Sequence, residues 1–370
     1  MAFFARNSFL LMMMLLSLLA KDSLNASTIY APVQNCCGSE EVYPEQYGFF
    51  LRGELLFWYP TQPNLEYTHD VTKTGNFFDS DLEITEGPGK VYFLEPGMNW
   101  GYRLTGGFRW ICNGWDLLFS YTDVRGHDRT TTVPAPGGNM FLAGSWVQFP
   151  QVAGEEPIVY VSAEAKHEFE YRTYDLHFRH NLCFLYNSLA ISPQFGVRVL
   201  EFDQDREAIY VSDEFGQESL GRKVTSSVDF HSYYRGVGLH GSLSSEYQFC
   251  SCVGIYSMLG TSLVVGNTDN RREQNDKLLL QGVEFNETSV DLKDKECLVV
   301  PGIQLGLGVD WERCLNNTMY LRFRLGYEMV MWWNLPQQST FLNNDTGNSL
   351  NGTSGALGFH GLTVLGEVNF

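Results

Sequence analysis

Asp175 and His177 stand two residues apart on one face of an extended run, and His127 adjoins Asp128. A histidine held by a carboxylate is the heart of general-base catalysis, which also needs a nucleophile or an activated water. The chain holds neither a Gly-x-Ser-x-Gly elbow nor a His-Glu-x-x-His pair, so serine hydrolysis and zinc proteolysis are not indicated. Both His-Asp spacings are ordinary for solvated polar pairs, and a surface hydrolase is the least favoured reading. The eight cysteines fit no zinc pattern either: Cys250-Ser251-Cys252 is tighter than Cys-x-x-Cys, and no histidine follows at finger spacing. No catalytic residue, cofactor or metal is assigned.

What remains is charge at every second position. Arg52 and Glu54 alternate with Phe49, Leu51, Leu55, Phe57 and Tyr59. Arg103 and Arg109 alternate with Trp100, Tyr102, Leu104, Phe108 and Trp110, and Asp116 with Trp115, Leu117 and Phe119. Asp175, His177 and Arg179 oppose Tyr174, Leu176 and Phe178, while Arg198 lies in the following apolar run. Asp310 opposes Ile303 to Trp311, and Arg322, Arg324 and Glu328 oppose Met319 to Met329. Period two with unlike faces is the signature of strands with one wet and one apolar side. Asn113-Gly114 between two such runs marks a tight hairpin.

The connections alternate in length. Short ones fall near 111–114, 180–187, 250–252 and 313–317; long polar ones cover about 60–97, 125–166, 203–228, 267–298 and 334–355. This sorting predicts an all-β, transmembrane antiparallel β-barrel of about 10–14 strands, with short periplasmic turns and long extracellular loops. Val91 to Leu94 is a candidate extra strand, and Pro193 predicts that its strand is bulged or begins after it. The thirteen charged residues named above then line the lumen. They carry more arginine than carboxylate, which predicts a weak anion preference if water passes.

Both ends agree. The last nine residues alternate and finish on the apolar face at Phe370, the candidate assembly signal. Residues 1–26 read as a signal peptide, with Arg6 before an apolar stretch too short to span a bilayer. Residues 27–46 form a periplasmic segment bearing cysteines, and 47–370 the barrel. Aromatic residues at 14%, 36 glycines and a mean hydropathy of -0.17 suit a lipid face diluted by polar lumen and loops. A net charge of -18 excludes nucleic acid as a partner. On this topology Cys36, Cys37, Cys112, Cys183, Cys250, Cys252 and Cys314 share the periplasmic side, leaving Cys297 near the outer loops. The seven are disulfide candidates, turn to turn or between molecules.

Tyr47-Gly48-Phe49-Phe50-Leu51-Arg52-Gly53-Glu54-Leu55-Leu56-Phe57-Trp58, Gly106-Gly107-Phe108-Arg109-Trp110 and the ending Leu357-Gly358-Phe359-His360-Gly361-Leu362-Thr363-Val364 carry a resemblance. The chain resembles the major outer membrane proteins of the Legionella type and of chlamydia-like bacteria. The resemblance implies a pore-forming barrel of the bacterial outer membrane, disulfide-linked within the envelope in chlamydia-like members. The partners expected are outer-membrane lipid, the barrel-assembly machinery, and the chain itself or periplasmic cysteine-rich proteins through disulfides. The leading expectation is a porin for passive diffusion of small solutes or ions with a structural envelope role. The alternatives are a closed structural barrel and an adhesin or surface antigen, the last resting on Trp146, Tyr160 and Trp333 as exposed loop aromatics.

Overall fold

The computed structural model describes residues 47–62, 65–74, 83–85, 89–94, 96–110, 114–129, 132–136, 140–147, 160–184, 188–212, 222–250, 252–280, 283–314, 320–344 and 347–369. The signal segment 1–26, the 27–46 segment with Cys36 and Cys37, Cys112 and Phe370 lie outside them, as do the side chains of Cys183, Cys250 and Cys314.

The alternating segments become ten long strands: β1 (Tyr47–Thr61), β2 (Asn99–Trp110), β3 (Trp115–Arg129), β4 (Ser162–His180), β5 (Leu189–Ser212), β6 (Arg222–Cys250), β7 (Val253–Leu280), β8 (Val283–Cys314), β9 (Tyr320–Asn344) and β10 (Gly347–Asn369). Each pairs antiparallel with the next, and β10 returns to β1 with Glu367 opposite Arg52, so the sheet closes on itself. Closure satisfies the backbone without water, which a chain crossing hydrocarbon requires.

Outward positions form an apolar belt. Phe49, Leu51 and Leu55 on β1, Leu104 on β2, Phe119 on β3, Val237 and Leu239 on β6, Leu307 on β8 and Phe323 on β9 are all exposed. Trp100 to Trp110 covers the roughly ten residues that a tilted spanning strand needs. The belt ends at Tyr121, Tyr174, Val199, Val237, Val265 and Val299, where outward positions turn charged, as in Glu201, Asp203 and Asp205 of β5.

Beyond the belt the strands continue. The outer connections are long, as expected, but they are built mostly of strand: β5 runs to Ser212, β6 starts at Arg222, β7 runs to Leu280 and β8 starts at Val283. Above the lipid the outward face turns to water, so the apolar alternation fades while the ladder persists. Val91–Phe93 is a strand, though not of the barrel; with Glu83–Thr85 and Met140–Gly144 it flanks Glu66–Thr74 in a small sheet at the outer mouth. Pro193 lies inside β5, which begins before it; pairing with β4 starts one residue later at Gln194.

One interruption breaks the outer wall. The β8–β9 ladder ends at Gly302 and Trp332, and β9 turns at Asn334, whose φ of 63° is in the left-handed region. Among the described residues, 283–301 of β8 pair only with β7, and the outer part of β9 pairs only with β10.

The inside is filled in layers. Leu56, Trp58, Phe169, Tyr171, Phe202, Tyr234, Val300, Trp332 and Phe359 form a buried cluster near the outer edge of the belt. A second cluster, including Tyr67, Leu142, Trp146, Tyr160 and Tyr210, packs the small sheet into the mouth. Trp146 and Tyr160 are therefore core residues of this cap rather than exposed loop aromatics; of the three proposed, only Trp333 is exposed.

Candidate functional site

The lumen inside the belt is where the sequence places its chemistry, and all thirteen lumen candidates do point inward, because one register fixes the face of every second residue. Most of them are engaged in ion pairs, arginine to carboxylate. On the side of the short turns, Arg52 meets Glu367 at 2.7 Å. Asp116, wholly buried, accepts from Arg179 Nε at 2.9 Å, Arg109 Nε at 3.2 Å and Asn181 Nδ2 at 2.9 Å. Arg322 bridges Glu312 and Glu246, and Arg324 also bonds Glu246.

One step outward, Arg103 reaches Glu54 at 2.7 Å and Glu328 at 3.0 Å, which ties β2 to β1 and, across the barrel, to β9. Arg198 is bidentate on Asp175, at 2.6 and 2.9 Å. Bidentate pairs are the geometry that offsets desolvation best in a dry interior. His177 packs against His240 with ring centroids 4.7 Å apart and planes tilted by 33°, and His240 Nδ1 lies 2.8 Å from Ser262 Oγ. Asp175 is thus committed to Arg198, and the Asp175–His177 pair lies within the packed interior of the barrel, away from the outer rim. Asp310 is buried beside the Arg322–Glu246 group.

Sequence reading missed Glu246, because β6 is rich in Gly and Ser there and shows no clean apolar alternation. Glu312 and Glu367 stand on the polar faces of their strands and are buried with the lumen set. Adding these three carboxylates removes the arginine excess, and with it the reason for an anion preference.

Above the ion pairs the lumen is crossed by rings. Trp58 lies 5.8 Å from Phe359, Phe359 lies 4.9 Å from Tyr171, and Trp332 Nε1 donates to Tyr171 Oη at 3.3 Å, joining β9 to β4 across the barrel. Glycines make room: a Cβ on Gly302 would come within 2.5 Å of the Trp332 ring directly opposite. Such aromatic contacts are worth about 0.5–1.5 kcal/mol each beyond their burial.

Beyond the rings, and outside the belt, lies a polar layer. The Gln204 side-chain amide oxygen accepts from His167 Nε2 at 2.7 Å, Ser232 donates to Asn270 at 2.7 Å, and Arg272 donates to the carbonyl of Trp146. Burial pushes the Arg206 guanidinium down to about 9 and that of Arg272 to about 10, the latter countered in part by Tyr210.

The cysteines that can be placed follow the expected polarity. Cys250 and Cys252 flank the β6–β7 turn, Cys314 ends β8 and Cys183 lies in the short Leu182–Phe184 strand, all at the short-turn end. Cys297 is an exposed thiol on the outward face of β8, just past the belt.

Among solved structures, the outer membrane protease OmpT of Escherichia coli is similar at 8% identity, covering 90% of this chain and 99% of that chain with a TM-score of 0.37. A mutant of the monoaromatic hydrocarbon channel TodX is similar at 6% identity, 88% and 91% coverage and a TM-score of 0.27. A Pseudomonas aeruginosa FadL homologue is similar at 7% identity, 87% and 90% coverage and a TM-score of 0.23. No curated protein sequence matches at a significant level. The family described as Legionella pneumophila major outer membrane protein precursor matches residues 42–370, which takes in the whole barrel and the few residues before it. A closed ten-stranded sheet with an apolar belt and this match over most of the chain lead to one conclusion: the protein belongs to the Legionella major outer membrane protein family and is a β-barrel of the bacterial outer membrane.

Proposed function

We propose that this barrel is closed at rest and serves the envelope as a structural and surface-exposed element rather than as an open pore. One observation carries the reading: the layer of Trp58, Tyr171, Trp332 and Phe359 across the lumen, sealed below by matched ion pairs. An apolar layer excludes ions by refusing to replace their hydration. Ten strands also enclose little more than their own side chains, whereas open channels use sixteen or more. The porin expectation thus becomes a statement about whether this layer can move. In planar bilayers the purified chain should show no steady conductance, and replacing Trp332 and Phe359 together by Ala should produce one. A large steady conductance from the unaltered chain would sink the closed reading and restore the porin.

The structural part of the role falls to the cysteines at the short-turn end, which are placed to link barrels to one another or to periplasmic cysteine-rich proteins. Its support is their shared side, and its test is a non-reducing gel of whole envelopes with thiols trapped. Reducible oligomers that vanish when Cys36 and Cys37 are replaced are the expected result; free thiols throughout would remove the linking role. No hydrolytic activity is part of the proposal, and the purified barrel should be inert in esterase, phospholipase and peptidase assays.

A further inference from the structure

On the outward face above the belt, Asp203, Asp205 and His231 bring two carboxylates and an imidazole within 4.8 Å of one another. We infer that this trio binds a divalent transition cation of the zinc class. His231 on β6 lies directly opposite Asp205 on β5, and Asp203 follows two positions along the same face. His231 Nδ1 is 2.7 Å from Asp205 Oδ1 and 3.6 Å from Asp203 Oδ1. The three donors therefore sit on paired strands, where backbone register fixes their spacing better than a loop would.

Three further observations point to a cation rather than to a chance acidic surface. The Asp203 side chain is 38% exposed, but its Oδ1 atom is turned away from solvent and accepts no hydrogen bond among the described residues. Two neighbouring carboxylates of this face, Glu201 and Glu273, have cationic partners, Arg235 at 3.2 Å and Arg271 at 2.8 Å. Among the described residues, neither Asp203 nor Asp205 has a lysine or arginine within ion-pair distance. Finally, a cleft of about 350 Å³ opens beside Asp205 and His231, lined also by four further carboxylates including Asp229 and by Lys166, Arg206 and Arg271, and gives room for waters to complete a coordination shell. The other carboxylate cluster, Glu246 with Asp310 and Glu312, is engaged by Arg322 and Arg324 and needs no metal.

The donor set decides the class. Carboxylates alone suit calcium, magnesium or manganese, while an imidazole shifts preference towards zinc and its neighbours. The site is not part of the lumen and is independent of whether the barrel conducts.

The test uses the folded full-length chain in detergent with its thiols alkylated, so that cysteines cannot compete. Zn²⁺ is titrated by calorimetry, and Co²⁺ is added as a visible probe of nitrogen and oxygen coordination. One saturable Zn²⁺ per chain is expected, weakened by more than about tenfold in His231→Gln and in Asp205→Asn, since loss of a mere supporting partner already costs that much. The Co²⁺ ligand-field band should disappear in His231→Gln, and Asp229→Asn, in the cleft but outside the trio, should bind as the parent does. Heat-modifiability on gels verifies that each variant is folded. Binding that is equal in parent and His231→Gln, absent in the parent, or no stronger for Zn²⁺ than for Ca²⁺ would overturn the assignment.

Discussion

Asp116 shows how much one carboxylate can organise: wholly buried, it receives Arg179, Arg109 and Asn181 at once. Replacing it with Asn leaves two guanidinium groups short of charge in a dry lumen, a loss of about 3–5 kcal/mol. The temperature at which the folded band converts on gels should fall well below that of Arg109→Gln, which removes a more exposed partner; equal behaviour would mean that Asp116 is not the hub. Asp123, just outside the belt, supplies a pH signature. Burial raises its carboxyl, but hydrogen bonds from Arg125 and Tyr121 and the charges of Arg125 and Arg172 outweigh it and hold the group below its usual range. A carboxyl depressed by folding adds stability above its unfolded value and loses it as pH falls through the folded one. The stability gap between parent and Asp123→Asn should therefore close below about pH 4; a gap unchanged from pH 7 to pH 3 would show that the pairing is not ionic. Faces were legible residue by residue because period two assigns them. Partners were not, since Glu246 meets Arg322 and Arg324 across a curvature that no single strand records.

At the level of elements, lipid decides what can be read. Inside the belt, β1, β2, β9 and β10 alternate cleanly because one face meets hydrocarbon and the other does not. Outside it, Thr268 to Leu280 of β7 and Val283 to Glu296 of β8 form a ladder with one irregularity at Gln274/Asn275. The outward face meets water and the buried inward face of β7 is itself polar, with Thr268, Asn270, Arg272, Gln274 and Asp276, so the sequence there reads as loop. Deleting Thr268–Glu296 and closing the gap with Asn-Gly should leave insertion and heat-modifiability intact, because the belt keeps its ladder. It should also expose residues 140–147 to protease, since Arg272, which donates to the carbonyl of Trp146, is removed. Failure to insert would mean that the outer hairpin nucleates assembly. At the end of β10, Asn369 points inward and donates to Glu367 at 3.0 Å. A charge at Phe370 should impair insertion more than one at Asn369, and equal insertion would contradict the assignment of the terminal face.

For the whole molecule, the layers predict a sealed, rigid cylinder. Gly302→Val should displace Trp332 and thereby loosen the seal, seen as intermittent conductance in bilayers from a chain that still folds; silence in a folded variant would place the barrier in the ion pairs instead. The sealing layer was hidden in the sequence for a simple reason. Trp58, Tyr171, Trp332 and Phe359 occupy inward positions, where polar residues are expected, and their partners come from four different strands.

The turn at Asn334 separates two mechanical regimes. A closed ring has no free end from which to unzip, so the membrane-embedded half must open everywhere or nowhere. The slit sleeve above Gly302 and Trp332 has two borders, and its hairpins can peel one at a time. Those borders are guarded: Lys293 and Lys295 project from β8, and Pro301, which has no amide hydrogen, stands where the shared ladder begins. Such features keep an exposed edge from recruiting foreign strands. Lengthening, clipping or remodelling the exterior can therefore proceed without breaching the permeability barrier beneath it.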